Sequence, residues 1–142
     1  MANTIPSTSG EAIRDVLLAN NYHQSLVSEG WDSQEEWRTD HQFFLTGPDK
    51  AETVAVSQEL HQTWEMGVHI AFAPITGPQD PDAFRFDVAD AIAALEEAWF
   101  SNTVLRADVF SLDAVETEYN EDASRWEVHL STVWITTRQI SV

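Results

Sequence analysis

His61, Glu65 and His69 stand at steps of four residues. Imidazoles and a carboxylate are donors that a transition-metal ion accepts. On a helix that spacing would bring the three to one face. On a strand equal parity also gives one face, but each four-residue step spans about 13 Å at roughly 3.3 Å per residue. Trp64, Met66, Val68, Ile70 and Phe72 alternate with Glu65, Gly67, His69 and Ala71, so the stretch reads as a strand and the three donors stand too far apart for one ion. Asp80, Asp82, Asp87 and Asp90 would suit a hard cation. No loop around them supplies ligands at alternate positions, and carboxylates at the start of a helix are accounted for by its dipole. The chain has no Cys, no Gly-x-Ser-x-Gly elbow, and five Gly scattered singly, so thiol chemistry, a nucleophile elbow and a phosphate-cradling loop are excluded. No pair of carboxylates stands out for hydrolysis. We expect no enzyme activity, no metal and no cofactor.

The elements that would position any site follow from spacing. Thr8 with Glu11 makes a capping-box pattern, and Ile13, Val16 and Leu17 mark a helical face over roughly 8–20. Residues 1–7 read as a flexible N-terminal arm. Trp31 and Trp37 flank a polar run that could be one capped turn. His41 to Leu45 reads as a short strand, closed by a loop at Thr46-Gly47-Pro48-Asp49-Lys50. Thr53 to Val56 is either a partner strand or part of one long bent strand. Asp80-Pro81-Asp82 starts a helix, whose stripe is Phe84, Val88, Ala91, Ile92, Leu95 and Trp99. Val104 to Tyr119 and Trp126 to Ile140 read as two long strands, with Val115, Thr117 and Tyr119 facing Trp126, Val128 and Leu130. Val133, Trp134 and Ile135 are apolar in succession, as in a strand central in its sheet or covered by a partner. The fold expected over 1–142 is a single α+β domain. It is an antiparallel β-sheet with two α-helices packed on one face, ending in a long β-hairpin.

Charge narrows the partners. Lys and Arg number 7 against 24 Asp and Glu, for a net charge of −17, and Lys50 is the single Lys. The first 71 residues carry −8 and the remainder −9, so the whole surface is acidic rather than one tail. That excludes binding by neutralisation of phosphates or attraction to anionic lipid. No apolar run approaches the roughly 18 residues of a membrane span, and the first residues show no basic and apolar leader pattern. Self-repulsion of this size is screened in molar salt, where the Debye length is about 3 Å. The composition therefore points to a halophilic source, the alternative being an ordinary acidic bacterial or phage protein.

Six Trp are many for 142 residues. Trp64 and Trp99 lie on expected core stripes. Trp31, Trp37, Trp126 and Trp134 are candidates for burial against a neighbouring subunit. An N-terminal helix leads to a strand closing in Phe43-Phe44-Leu45-Thr46-Gly47, then to the long strand Trp64 to Phe72. The helix Asp82 to Trp99 and the hairpin Val115 to Thr136 follow. This order and length resemble the tail terminator (tail completion) proteins of long-tailed phages and archaeal tailed viruses.

The resemblance implies a structural virion protein: a hexameric ring that caps the tail tube, stops its polymerisation and joins the tail to the head or neck. Its partners would be further copies of the chain, the tail tube protein and a neck or head–tail adaptor protein. Its place would be the neck-proximal end of the virion tail, after assembly in the host cytoplasm. DNA would pass through the ring without specific binding, and an acidic lumen would let it slide. Under this resemblance Trp126, Val133, Trp134 and Ile135 are the candidate oligomer contacts, and Gly47, Pro48, Asp49 and Lys50 a candidate loop against the adjacent tail ring. The alternatives are a head–tail adaptor or neck protein, and a cellular haloarchaeal interaction or ligand-binding domain.

Overall fold

A computed structural model describes residues 6–24, 41–72, 81–121 and 125–140, with no account of the side chains of residues 6, 81–84 and 114. Of the arm expected over 1–7, residues 1–5 lie outside the described residues, as do Trp31, Trp37 and Asp80, whereas Pro6 and Ser7 are not part of an arm but the first residues of a helix. Helix α1 runs Pro6–Ala19. It begins before Thr8, so the Thr8–Glu11 pair lies within the helix and does not cap it; Pro6 occupies the first position, where its missing N–H costs nothing. Ile13 and Leu17 are fully buried. Gly10 brings the helix close to the sheet: a Cβ there would stand 3.6 Å from Met66 Sδ and 3.8 Å from the Trp134 ring. The helix closes at Asn20 and Asn21. Asn20 Nδ2 donates to Val16 O (2.7 Å), Tyr22 N donates to Leu17 O (3.0 Å), and Asn21 takes φ 66°, a left-handed value Asn tolerates.

Strand β1 (His23–Gln24) pairs in parallel with β2 (Gln42–Val56), and β2 forms an antiparallel hairpin with β3 (Glu59–Phe72). Strands β4 (Ser111–Asn120) and β5 (Arg125–Gln139) form the second hairpin. The sheet order is β1-β2-β3-β5-β4, so β5 is central, as its doubly apolar run requires. The hairpin register pairs Val115 with Leu130, Thr117 with Val128 and Tyr119 with Trp126, as the alternation predicts. The fold is α+β. The sheet is mixed rather than wholly antiparallel because of the two-residue β1.

Two expectations need correction. Thr46 to Lys50 does not end a strand. The strand continues to Val56, with register shifts between Thr46 and Asp49 and between Lys50 and Glu52. Gly47 (φ 94°) and Pro48 are accommodated by this irregularity, which is where sheets tolerate them. Val104 does not begin a strand either. Asn102 Oδ1 accepts from Val104 N (3.0 Å) and Leu105 N (3.1 Å), and caps a short helix, α3 (Thr103–Ala107). The apolar Val104-Leu105 pair imitates a strand, but Leu105 is buried beneath the helices as part of the main core.

Helix α2 (Pro81–Phe100) presents Val88, Ile92, Leu95 and Trp99 to the sheet. They share one core with Ile13 and Leu17, and with the even-numbered Met66, Val68, Ile70, Phe72, Trp126, Val128, Leu130 and Trp134. The helices thus lie on one face, and the odd-numbered residues of β3 and β5 point to the other. Trp99 Nε1 donates to Ile13 O (3.2 Å), joining α2 to α1. Asp108 ties three elements together: Ser9 Oγ donates to its buried carboxylate (2.6 Å), and Ile135 N donates to its carbonyl (2.8 Å). From Thr46 to Val56 every β2 residue is exposed, so the outer part of β2 forms a spur along the sheet edge, while its partner residues Glu59 to Trp64 on β3 are half-buried and paired with β5.

Candidate functional site

The face opposite the helices carries a row of rings. Phe44, His69 and His129 are register partners on three adjacent strands, β2, β3 and β5. Equal parity turns their side chains to the same side. The Phe44 and His69 rings lie 4.3 Å apart at 4°, and the His69 and His129 rings 4.2 Å apart at 9°. Phe44 and Ala71 form a small second core on this side.

Next to the row Gly67 leaves a gap. It pairs with Thr46 on one side and Ser131 on the other. A Cβ at Gly67 would collide with Thr46 Oγ1 and stand 3.1 Å from His69 Nε2 and 3.2 Å from His129 Nε2. Both imidazoles therefore lean over a residue that has no side chain. Thr46 Oγ1 and His69 Nε2 form a hydrogen bond of 3.2 Å. Beside the gap, Thr46, Asp49, Glu65, Gly67, Asp113, His129 and Ser131 line a shallow depression of about 160 Å³.

Burial, and secondarily repulsion from His129, lowers the His69 pKa from 6.5 to about 4. His69 is therefore neutral at pH 7. Among the described residues no three His, Asp or Glu side chains are gathered so as to hold a metal ion. His61, Glu65 and His69 are spread along β3 as the strand reading requires, with His61 Nε2 3.2 Å from Glu59 Oε2. Asp87 and Asp90 are exposed on α2.

Replacing Gly67 with Ala should cost about 1–3 kcal/mol, the usual range for an overfilled site. Thr46→Ala in the same chain should recover part of that loss, because it removes the colliding oxygen. Urea midpoints of the two single variants and the double variant measure the coupling; strictly additive losses would contradict the crowded geometry.

The candidate contact residues separate by strand parity. Trp134 (0% exposed) and Trp126 (6%) are enclosed by the chain itself, so neither offers a side chain to a neighbouring copy. This corrects their assignment as oligomer contacts: both belong to the even-numbered row under the helices. Val133 and Ile135 lie on the opposite face, half-buried, opposite Glu65 and Thr63 of β3. Gly47, Pro48, Asp49 and Lys50 are exposed, at the root of the spur rather than in a loop. Sequence reasoning overlooked the His69–His129 pair. Strand parity puts each histidine on a face, but the β3–β5 register that makes them neighbours has no local signal.

No protein-family model matches the chain, and no curated protein matches it either.

Proposed function

We propose that this chain is a structural ring subunit, a tail terminator of a halophilic tailed virus. It would assemble as a hexamer on the tail tube, stop its polymerisation and connect the tail to the neck. The observation that carries the reading is the spur, eleven consecutive exposed β2 residues from Thr46 to Val56. An exposed strand along the edge of a rigid sheet suits contact with another subunit. The order of helix, strands, helix and hairpin on which the family resemblance rests is kept, although β2 runs on past Gly47 and α3 precedes the hairpin. In this reading Gly47 to Lys50 at the spur root contact the adjacent tail ring, and Val133 and Ile135 support the ring contact from the face opposite the helices. A head-to-tail stack grows until a different surface replaces its end, and the cap supplies that surface. The chain acts without a cofactor, and DNA crosses an acidic lumen without sticking.

Mass photometry in about 2 M KCl, where surface repulsion is screened, tests the reading. The expected particle has six times the 16.0 kDa chain mass. A lone chain at every salt concentration would end the proposal, and twelve copies would favour a head–tail adaptor. The same salt dependence should appear in stability. With a net charge of −17, the melting temperature should rise between about 0.1 and 1 M KCl. A flat curve would remove the halophilic part of the reading.

One observation favours a second reading, a ligand-binding domain. An open groove of about 300 Å³ runs between α2 and β4, lined by Val88, Ala89, Ile92 and Ala93, with Arg85 and Glu96 also in its wall. A small molecule retained through purification by a chain that stays monomeric would support it.

A further inference from the structure

We propose that the stacked His69–His129 pair, with Thr46 and the gap at Gly67, is a proton-operated latch at the root of the exposed β2 spur, which it holds against β3. In its neutral state the pair seats the spur, and with both rings protonated it releases it. The latch follows from the sheet geometry and holds whatever the spur docks against.

Position makes the pair a latch. Thr46–Gly67 is the last regular β2–β3 pair before the first register shift, and every β2 residue beyond it is exposed. The Thr46 Oγ1–His69 Nε2 bond of 3.2 Å therefore joins β2 to β3 where the exposed part of β2 begins. The bond needs a neutral His69 to keep its geometry, because the parallel His129 ring is only 4.2 Å away. Two positive charges in that stack repel, and the direct relief is for the rings to part, drawing His69 off Thr46. Gly67 supplies no side chain to block the movement.

The groups around the pair set its limits. Glu65 and Gly67 flank His69 on β3, and Phe44, Thr46 and Asp49 face it from β2. On β5 Glu127 and Ser131 flank His129; from β4 Glu116 lies opposite His129, and Asp113 shares the depression. Five of these residues, Asp49, Glu65, Asp113, Glu116 and Glu127, are carboxylates, the last bound to Arg125. Burial and the neighbouring His129 ring oppose a proton on His69. The helices lie on the other face of the sheet and add no charge here.

The sign is fixed. His69 titrates at about 4 in the folded chain against 6.5 when free. Between those values the open form binds more protons than the seated one, so seating is complete above pH 6.5 and weakens as the pH falls towards 4.

Amide hydrogen exchange of the full chain in about 2 M KCl, corrected for the intrinsic pH dependence of exchange, tests the latch. Between pH 7 and 4.5, amides from Lys50 to Val56 should lose protection by about tenfold, a local opening, while those of Ile92 to Leu95 and Val128 to Leu130 keep theirs. His129→Phe retains a stacked ring without the second charge and should hold the spur protected at pH 4.5; His129→Gln provides the same comparison if the Phe variant folds poorly. Unchanged spur protection in the unmodified chain would overturn the latch. So would equal loosening in the His129 variants, or simultaneous opening of spur and core.

Discussion

Replacing Trp134 with Ala should lower the stability of the isolated chain by about 3–5 kcal/mol, the range for losing a large buried aromatic side chain. Trp134 has no exposed surface, packs in the main core and lies 3.8 Å from the position of a Cβ at Gly10. Neighbours on the sheet and α1 would surround the cavity, and neither can collapse into it without disturbing the register. A contact tryptophan would behave in the opposite way, leaving the monomer stable and weakening only assembly. Its indole N–H is buried without a hydrogen-bond partner. Trp134→Phe keeps most of the volume and removes that orphaned donor, so it should cost much less than Ala. Chemical denaturation of both variants at a concentration where the protein is monomeric checks the pair of expectations. An Ala variant as stable as the parent would mean that the ring is not a core residue.

Glu127→Ala should be nearly as damaging, at about 3 kcal/mol. Arg125 is buried (2% exposed), and its Nε and Nη2 both lie 3.1 Å from Glu127 Oε2, while Asn120 Nδ2 donates to Glu127 Oε1 (3.2 Å). Removing the carboxylate leaves a buried guanidinium without that counter-charge, which is far more costly than losing a surface pair. The pair stands in a chain whose surface charges repel, so salt distinguishes the two effects. Raising KCl from about 0.1 to 2 M should relieve surface repulsion but leave the Glu127→Ala deficit almost unchanged, because buried pairs are weakly screened. Glu127→Leu combined with Arg125→Met should recover much of the loss, since apolar replacement of both partners removes the desolvation penalty. Thermal melts of the three proteins at both salt concentrations give the answer; a deficit that vanishes in high salt would place the pair at the surface.

Where a period ran long enough, the fold was legible. Val88, Ile92, Leu95 and Trp99 mark α2, the even-numbered residues of β3 mark its buried face, and the β4–β5 register follows from the alternation on either side of a short turn. Errors arose where a local signal had two meanings. Gly47-Pro48 reads as a terminator, yet β2 carries it as an irregularity at the spur root, between two stretches of regular pairing with β3. Val104-Leu105 reads as β, yet Asn102 supplies a helix cap and Leu105 has a core to enter. Val133-Trp134-Ile135 left a strand inside the sheet and a strand covered by a partner equally open; β5 lies between β3 and β4, and burial of Trp134 within the chain cannot be told from burial by another subunit when only composition is known. The histidine pair was illegible for a different reason. His69 and His129 meet through the pairing of strands distant in the chain, and that pairing is set by the packed sheet, not by either segment.

The position of β5 between β3 and β4 also orders the folding reaction. Each hairpin closes over a short turn, whereas the seam between them must bring together residues as remote as Met66 and Thr132, which are 66 apart. Closing so wide a loop costs entropy before any contact is made, so the seam, not the hairpins, should govern the folding rate. During synthesis β3 waits with a bare edge through the whole of α2 and β4. A growing chain is therefore most open to mispairing until its central strand has been made.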